Sequence, residues 1–313
     1  MKNLGRFISF FLVGIFAIGL AVHLIPDQYA SSYQRALVRQ YDYYQSLGSG
    51  KIVFVGGSSL SFGLDLDLME ELTGKPCAII GNHSGYGMTY PLEMAKSNLR
   101  EGDIVVVEIV KSSIDAVGTE LLLTGIGKRY ELYQYLLPNL WDDMIKAYPS
   151  YVKKNLERWL NQTPAETGAY SLGAYDERGN MTYERPACII PEPFTEEVAE
   201  TYGHVYYGEF EMEPAFREYL RQYVADCAGK NIPVYFSAVC SLDEAVVSTK
   251  EDAETATESW NRQLPAPFIS HQSEYIFSRE YIYDYVQHCN SEGKKHRTKI
   301  LYHDLLPYLS PVE

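Results

Sequence analysis

In Lys51-Ile-Val-Phe-Val-Gly-Gly-Ser-Ser-Leu-Ser-Phe-Gly63, a short apolar run is followed by two glycines and two serines. The apolar run at 52–55 is mostly β-branched, which is typical of a buried strand. Residues 64–72 then have the apolar spacing and the early acidic residues of a helix. The serines therefore stand where a helix begins and where free backbone N–H groups favour negative charge. This position suits an ordinary capping serine, and it equally suits a nucleophile whose attack on an ester creates an oxyanion.

A second informative pattern lies near the other end of the chain, in Tyr283-Asp-Tyr-Val-Gln-His-Cys-Asn-Ser-Glu-Gly293. Asp284 and His288 are four residues apart, so one helical turn or a compact loop brings their side chains together. A carboxylate beside an imidazole fixes its tautomer and stabilises the imidazolium that forms on proton abstraction. A lone histidine is more often a packing or surface residue, but an Asp/His pair combined with a strand-end serine indicates nucleophilic catalysis.

Two segments of the chain resemble the first two sequence blocks of the SGNH/GDSL hydrolases. Residues 57–63, Gly-Ser-Ser-Leu-Ser-Phe-Gly, resemble the first block, Gly-Asp-Ser-Leu-Thr-Phe-Gly, with Ser59 at the position of the nucleophile. Residues 81–87, Gly-Asn-His-Ser-Gly-Tyr-Gly, resemble the second block. Gly85 is the best match for the glycine whose backbone N–H binds the oxyanion in that family.

Asp284 and His288, followed by an Asn and Gly turn, resemble the last block of the same family. The likeness runs from about residue 51 to 309 and is weak in the middle of the chain. It is closest to membrane-anchored bacterial SGNH-like proteins associated with surface-polysaccharide modification. The resemblance implies a Ser59–His288–Asp284 triad, with backbone N–H groups of Ser59 and Gly85 as oxyanion donors.

The chain departs from the family pattern in two places. The usual third block, Gly-x-Asn-Asp, supplies a side-chain oxyanion donor after the third strand, whereas the predicted strand 104–107 leads into Glu-Ile-Val-Lys-Ser-Ser. Asn82, in the neighbouring loop, is the candidate for a substitute amide donor. The Asp and His are four rather than three residues apart, a spacing that the membrane-anchored relatives share.

Predicted strands and helices alternate along most of the chain, which is typical of a doubly wound parallel α/β sheet. Strands are expected at 51–55, 77–80, 104–107 and 232–239, and helices at 64–72, 90–100, 214–228 and 291–306. The resemblance implies the flavodoxin-like, three-layer form of this class. Residues 115–212 fit no βα repeat, and we interpret them as a helical and loop insertion forming a cap. Their tyrosines suit stacking on sugar rings, but at helical spacing tyrosines more often pack in a core.

The N-terminal segment differs from the rest of the chain. Two basic residues precede the apolar run 7–25, which is long enough to span a bilayer and predicts an uncleaved anchor with a cytoplasmic N-terminus. A cleaved signal peptide is the alternative. We therefore expect a cytoplasmic stub and anchor at 1–26, a helical linker at 27–50 and an extracytoplasmic SGNH-like domain at 51–313.

Composition narrows the choice of partners. The chain has 41 acidic against 27 basic side chains, a net charge of −14, which disfavours nucleic acid and anionic lipid headgroups. This charge suits a polysaccharide of neutral sugars or a small acyl ester as the substrate. No metal-binding or nucleotide-binding motif is present, so neither a metal nor a cofactor is expected. The five cysteines have no Cys-x-x-Cys spacing, and Cys289, beside His288, is interpreted as a packing residue.

The sequence thus favours a serine esterase or O-acyltransferase that acts on O-acyl, most simply acetyl, esters of extracytoplasmic polysaccharide. Water as the acyl acceptor would make it an esterase, and a sugar hydroxyl would make it a transferase. The alternative is an inactive SGNH-like binding or assembly subunit that partners a membrane O-acyltransferase. The missing third-block asparagine favours that alternative.

Overall fold

The structure, a computed structural model, describes residues 13–14, 24–109 and 117–309. Its first half contains the helices and strands α1 (Ala36–Ser46), β1 (Ile52–Val55), α2 (Ser58–Gly63), α3 (Leu66–Thr73), β2 (Cys77–Ile80), α4 (Thr89–Lys96) and β3 (Ile104–Glu108). The second half contains α5 (Thr119–Ile126), α6 (Trp141–Leu160), α7 (Glu196–Tyr202), α8 (Pro214–Ala228), β4 (Val234–Ser237), β5 (Ser241–Leu242), α9 (Lys250–Gln263), β6 (Ile276–Phe277) and α10 (Ser291–Leu305).

Four parallel strands form the central sheet in the order β2-β1-β3-β4. In the register of the sheet, Val55 of β1 pairs with Ile80 on one side and with Val107 on the other. The chain therefore leaves β1 in one direction and returns on its other side, as in flavodoxin-like sheets. Ligands of such sheets bind outside the carboxyl ends of the strands, at this reversal point. The predicted α/β class with a parallel sheet is confirmed.

Helices cover both faces of the sheet, because alternate strand residues supply two apolar surfaces. Ile52 and Phe54 belong to a core cluster that includes residues of α3 and α10, such as Met69 and Leu301. Val53 and Val55 belong to the opposite cluster, which includes residues of α1, α4 and α8. Strands buried on both faces are apolar at nearly every position, as these are.

Several predicted boundaries need correction. The helix expected at 64–72 is α3, and a separate helix that was not predicted, α2, precedes it from Ser58. The segment 27–50, predicted as a linker, includes α1, whose Leu37 and Tyr44 are fully buried in the main core. In the middle region, α6 continues through Pro149. Neither α5 nor α9 was predicted.

Nearly all of the predicted anchor at 7–25 lies outside the described residues. Among the residues that are described, no helix combines the length and the apolar character needed to cross a membrane.

Candidate active site

The turn after β1 brings α2 against the loop that follows β2. Gly57 precedes α2 as its N-cap. A Cβ atom on Gly57 would lie 3.1 Å from both the backbone N and the Cα of Ser84, so only glycine permits this close approach without displacement. As a result, Ser58, the first residue of α2, lies at the carboxyl edge of the sheet beside the 81–87 loop.

Three side chains at this edge form a continuous hydrogen-bonded chain. The Ser58 hydroxyl lies 2.9 Å from Nε2 of His288, and Nδ1 of His288 lies 3.0 Å from Oδ1 of Asp284. The other Asp284 oxygen, Oδ2, accepts a hydrogen bond of 2.7 Å from the Tyr170 hydroxyl. The side chains of His288 and Asp284 are about nine-tenths buried. This is the geometry of a nucleophile, a base and a carboxylate that orients the base.

The helical period explains why His288 meets Ser58. Residues four apart lie on the same face of a helix, so Phe62 stands one turn below Ser58. The His288 imidazole stacks on the Phe62 ring with a centroid distance of 4.1 Å and an interplanar angle of 15°. Phe62 is itself fully buried, so it supports the imidazole with Nε2 directed at the Ser58 hydroxyl.

The structure does not place Ser59, the predicted nucleophile, against His288. The Ser59 hydroxyl lies 3.3 Å from Oε2 of Glu108, and the residue is 5% exposed. One turn further along this inward face, a Cβ atom on Gly63 would come within 2.8 Å of the Arg297 side chain. Ser59 and Gly63 therefore define the face of α2 that packs inward, and the structure pairs Ser58 with His288 instead.

A buried ion pair supports α2 from within the protein. The fully buried side chains of Glu108 and Arg297 form a salt bridge, and Arg297 also donates to the Ala238 carbonyl at 3.2 Å. Burial raises the pKa of the Glu108 carboxyl, and the Arg297 charge opposes this shift. Because Glu108 accepts from Ser59, this pair holds the first turn of α2 in place.

The predicted oxyanion donors, Gly85 and Asn82, lie in the loop beside Ser58 but already have partners. The backbone N–H of Gly85 donates to Nδ1 of His83 at 2.8 Å. The Asn82 side-chain amide donates to the Tyr33 carbonyl at 2.7 Å, and Asn82 is fully buried. The first backbone N–H groups of α2, including that of Ser59, have no carbonyl acceptor within the helix and lie at the same edge.

His83 is a further titratable group at this edge. Burial, and secondly the neighbouring His288, lower the pKa of His83 from 6.5 to about 4. The imidazole is therefore neutral at pH 7, and its Nδ1 accepts from the backbone as described. A second protonated histidine beside His288 would oppose the imidazolium that general-base catalysis requires, so a neutral His83 favours proton transfer.

Two fully buried thiols lie beneath the site. The sulfur atoms of Cys240 and Cys289 are 3.4 Å apart, and Cys240 Sγ lies 3.9 Å from the Ser59 hydroxyl. Burial raises the pKa of Cys289 well above its ordinary value. A buried thiol that resists ionisation is a poor nucleophile, so Cys289 acts in packing.

The region predicted as a cap contacts the site through several residues, including Arg185, which donates to the Phe62 carbonyl at 3.2 Å. Tyr170 binds Asp284, and the Gly118 N–H donates to the Gly85 carbonyl at 2.6 Å. Residues 110–113, which contain most of the altered third block, lie outside the described residues.

Across the ranges that the structure describes, no group of three His, Cys, Asp or Glu side chains is placed to hold a metal ion. The chain matches no protein-family model and no curated protein sequence.

Sequence reasoning missed Ser58, Phe62 and Tyr170 as members of this site. For Ser58, the helical period places Ser59 and Gly63 on one face, but only the contact of Gly63 with Arg297 identifies that face as the closely packed one. Aligning the motif on that glycine selected the inward serine. For Tyr170, more than a hundred residues from Asp284, the sequence holds no comparable signal.

Proposed function

We propose that this chain is a serine esterase or O-acyltransferase of the SGNH-like type, with Ser58 as its nucleophile. The observation that carries the proposal is the unbroken chain of hydrogen bonds from Ser58 through His288 to Asp284. His288 serves as the general base and acid, and Asp284 orients it. The parallel sheet with its reversal at β1 is compatible with the flavodoxin-like fold of that family.

In the proposed reaction, His288 takes the proton of Ser58 as the serine oxygen attacks an ester carbonyl carbon. The first-turn N–H groups of α2, aided by the positive end of the helix, stabilise the tetrahedral oxyanion. His288 then protonates the departing alcohol, which leaves an acyl group on Ser58. Water completes a hydrolysis, and a sugar hydroxyl completes an acyl transfer, with His288 as base for either acceptor.

We further propose O-acyl, most simply acetyl, esters of an extracytoplasmic polysaccharide as substrates. The apolar N-terminal segment supports a position outside the cytoplasm, on the membrane. The net charge of −14 supports a neutral rather than a polyanionic substrate. The resemblance to membrane-anchored relatives supports the polysaccharide class.

A second candidate is a binding or assembly subunit that presents polysaccharide to a membrane O-acyltransferase without turnover. The observation that favours it is the oxyanion side of the site, where both Gly85 and Asn82 donate to groups of the protein itself. Loss of one oxyanion donor typically lowers the rate on the order of a hundredfold to a thousandfold. A site lacking two such donors is therefore compatible with a non-catalytic role.

Fluorophosphonate labelling of the full chain in detergent tests the proposal, because the reagent modifies activated serines covalently. The matched variants are Ser58→Ala and Ser59→Ala, with folding checked by circular dichroism. We expect labelling of the wild type and of Ser59→Ala, and none of Ser58→Ala. Labelling that survives in Ser58→Ala but disappears in Ser59→Ala would restore Ser59 as the nucleophile. A folded wild type without labelling would favour the binding subunit.

A further inference from the structure

A groove lies beside the base loop (residues 283–288) of the candidate active site. It encloses about 560 Å³ between this loop and the segment 202–210, and Ile109 and Val239, which follow β3 and β4, form part of its wall. The carboxyl ends of the strands thus open into it, as expected for a ligand-binding crevice of this sheet type.

The described lining of the groove is aromatic and polar. None of the described residues that line it is Asp, Glu, Lys or Arg. Its rings and hydrogen-bonding side chains include Tyr206, Tyr207, Phe210, Trp260, Tyr285 and Gln287. Sugars and other neutral molecules can therefore enter a groove of this size. A polyanion would find no opposite charge in its described lining, and the whole chain has a net charge of −14.

Two tyrosines at the groove are exposed, although each has one aromatic neighbour, His204 for Tyr206 and His288 for Tyr285. Tyr206 is 65% exposed and Tyr285 is 41% exposed. An exposed ring presents an apolar face for the C–H face of a sugar, while its hydroxyl stays in water. The side-chain amide of Gln287 supplies both donors and an acceptor, which suits sugar hydroxyls. Gln272 is 5% exposed, and its amide donates to the Val239 carbonyl and the Tyr207 hydroxyl, so it shapes the wall. This combination fits a neutral carbohydrate better than a lipid tail, which needs no amides.

The groove adjoins the site through the base loop itself. Tyr285, Val286 and Gln287 line it, and the Tyr285 ring centroid lies 5.3 Å from that of His288. A ligand seated on Tyr285 is therefore within a few ångströms of the imidazole that meets Ser58. An extended polymer can occupy the groove while one of its ester groups reaches the serine.

We propose that this groove binds a neutral polysaccharide segment adjoining the sugar whose ester is processed at Ser58. The inference deepens the proposed function and rests on it for the role of the bound glycan. Tyr206 provides the exposed stacking surface, and the amide of Gln287 contacts the hydroxyls. The groove thus selects polymers over small esters without taking part in bond cleavage.

The test compares wild type with Tyr206→Ala and with the control Tyr308→Ala, all as full chains in detergent. Tyr308 is 41% exposed and packs on Tyr235 instead of lining the groove. Binding is measured by affinity electrophoresis in neutral polysaccharides (glucomannan, xylan, dextran) and in polygalacturonate as the anionic comparison. We expect retardation by at least one neutral polymer and weakening of about tenfold in Tyr206→Ala, equivalent to about 1.4 kcal/mol.

Hydrolysis of p-nitrophenyl acetate is measured in parallel and reports the serine chemistry alone. We expect it to be unchanged in Tyr206→Ala, because that side chain does not touch Ser58 or His288. Absent hydrolysis with intact glycan retardation would defeat the catalytic proposal and leave the groove standing. Retardation by polygalacturonate only, by no polymer, or equally in Tyr206→Ala and wild type would overturn the groove proposal.

Discussion

The two sides of the Ser58 hydroxyl differ in how completely they are prepared for acyl chemistry. On the base side, Tyr170, Asp284 and His288 form a hydrogen-bonded chain that ends on the serine. On the oxyanion side, Gly85 donates to His83 and Asn82 donates to the Tyr33 carbonyl. In the proposed mechanism, proton transfer would therefore rely on side chains already in position, whereas oxyanion binding would rely on the first turn of α2.

If the site is catalytic, this difference indicates that the oxyanion side limits its rate. The general base, His288, needs no rearrangement to accept a proton from Ser58, because stacking on Phe62 holds its imidazole in place. Oxyanion donors are effective only when they already point at the developing charge. The effect of oxyanion-side substitutions on the rate therefore distinguishes a slow but specific serine enzyme from a binding subunit.

The largest effect should follow from removing the base. In His288→Ala, hydrolysis of p-nitrophenyl acetate should fall on the order of a thousandfold to ten-thousandfold, because Ser58 loses its proton acceptor. The control is His303→Ala, an exposed histidine on α10, which should keep wild-type activity. Equal rates in His288→Ala and wild type would show that measured hydrolysis does not use this dyad.

Next in size is the loss of the ion pair beneath α2. In Arg297→Met, the buried Glu108 carboxylate loses its counter-charge, and the free energy of unfolding should fall by about 3–5 kcal/mol. The control, Arg221→Met, breaks an exposed pair with Glu218 and should cost less than about 1 kcal/mol. Chemical denaturation measures both, and similar small losses would contradict a supporting role for the pair.

Much of this fold could be predicted because buried parallel strands appear in the sequence as short runs of apolar residues. The segments at 77–80 and 104–107 are such runs, and both form strands of the sheet. The spacing of Asp284 and His288 likewise indicated their contact, since they lie in one compact loop. Local sequence patterns of this kind are enough to predict an element, because few backbone conformations bury the same set of residues.

The remaining features depend on packing between distant segments. Helix α9 was not predicted because Lys250–Gln263 has few apolar residues. Its buried face consists of Trp260 and three small residues. The choice between Ser58 and Ser59 depends on Gly63 meeting Arg297, which is more than two hundred residues away. A sequence motif specifies only residue types, so it does not predict the hydrogen-bond partners of Asn82 and Gly85.

A smaller effect is expected at Asn82, which distinguishes a packing residue from an oxyanion donor. In Asn82→Ala, the Tyr33 carbonyl loses a buried partner, so the free energy of unfolding should fall by about 1–3 kcal/mol. At a temperature where the variant stays folded, kcat on p-nitrophenyl acetate should fall less than about tenfold. A hundredfold loss of kcat in the folded variant would instead assign the amide to the oxyanion.

The smallest effect concerns His83 and appears as a dependence of stability on pH. Its pKa of about 4 in the folded protein lies below the ordinary value of 6.5. The unfolded chain therefore binds the proton more readily, and stability falls as the pH drops from about 6.5 toward 4. In His83→Gln, which keeps an acceptor for the Gly85 N–H, this contribution is absent. Relative to the variant, the wild type should lose roughly 1 kcal/mol by pH 5.5 in denaturant titrations and nothing above pH 7. Parallel stability curves for the two proteins would mean that His83 is hydrated and titrates normally, and that the Gly85 N–H is then free to bind an oxyanion.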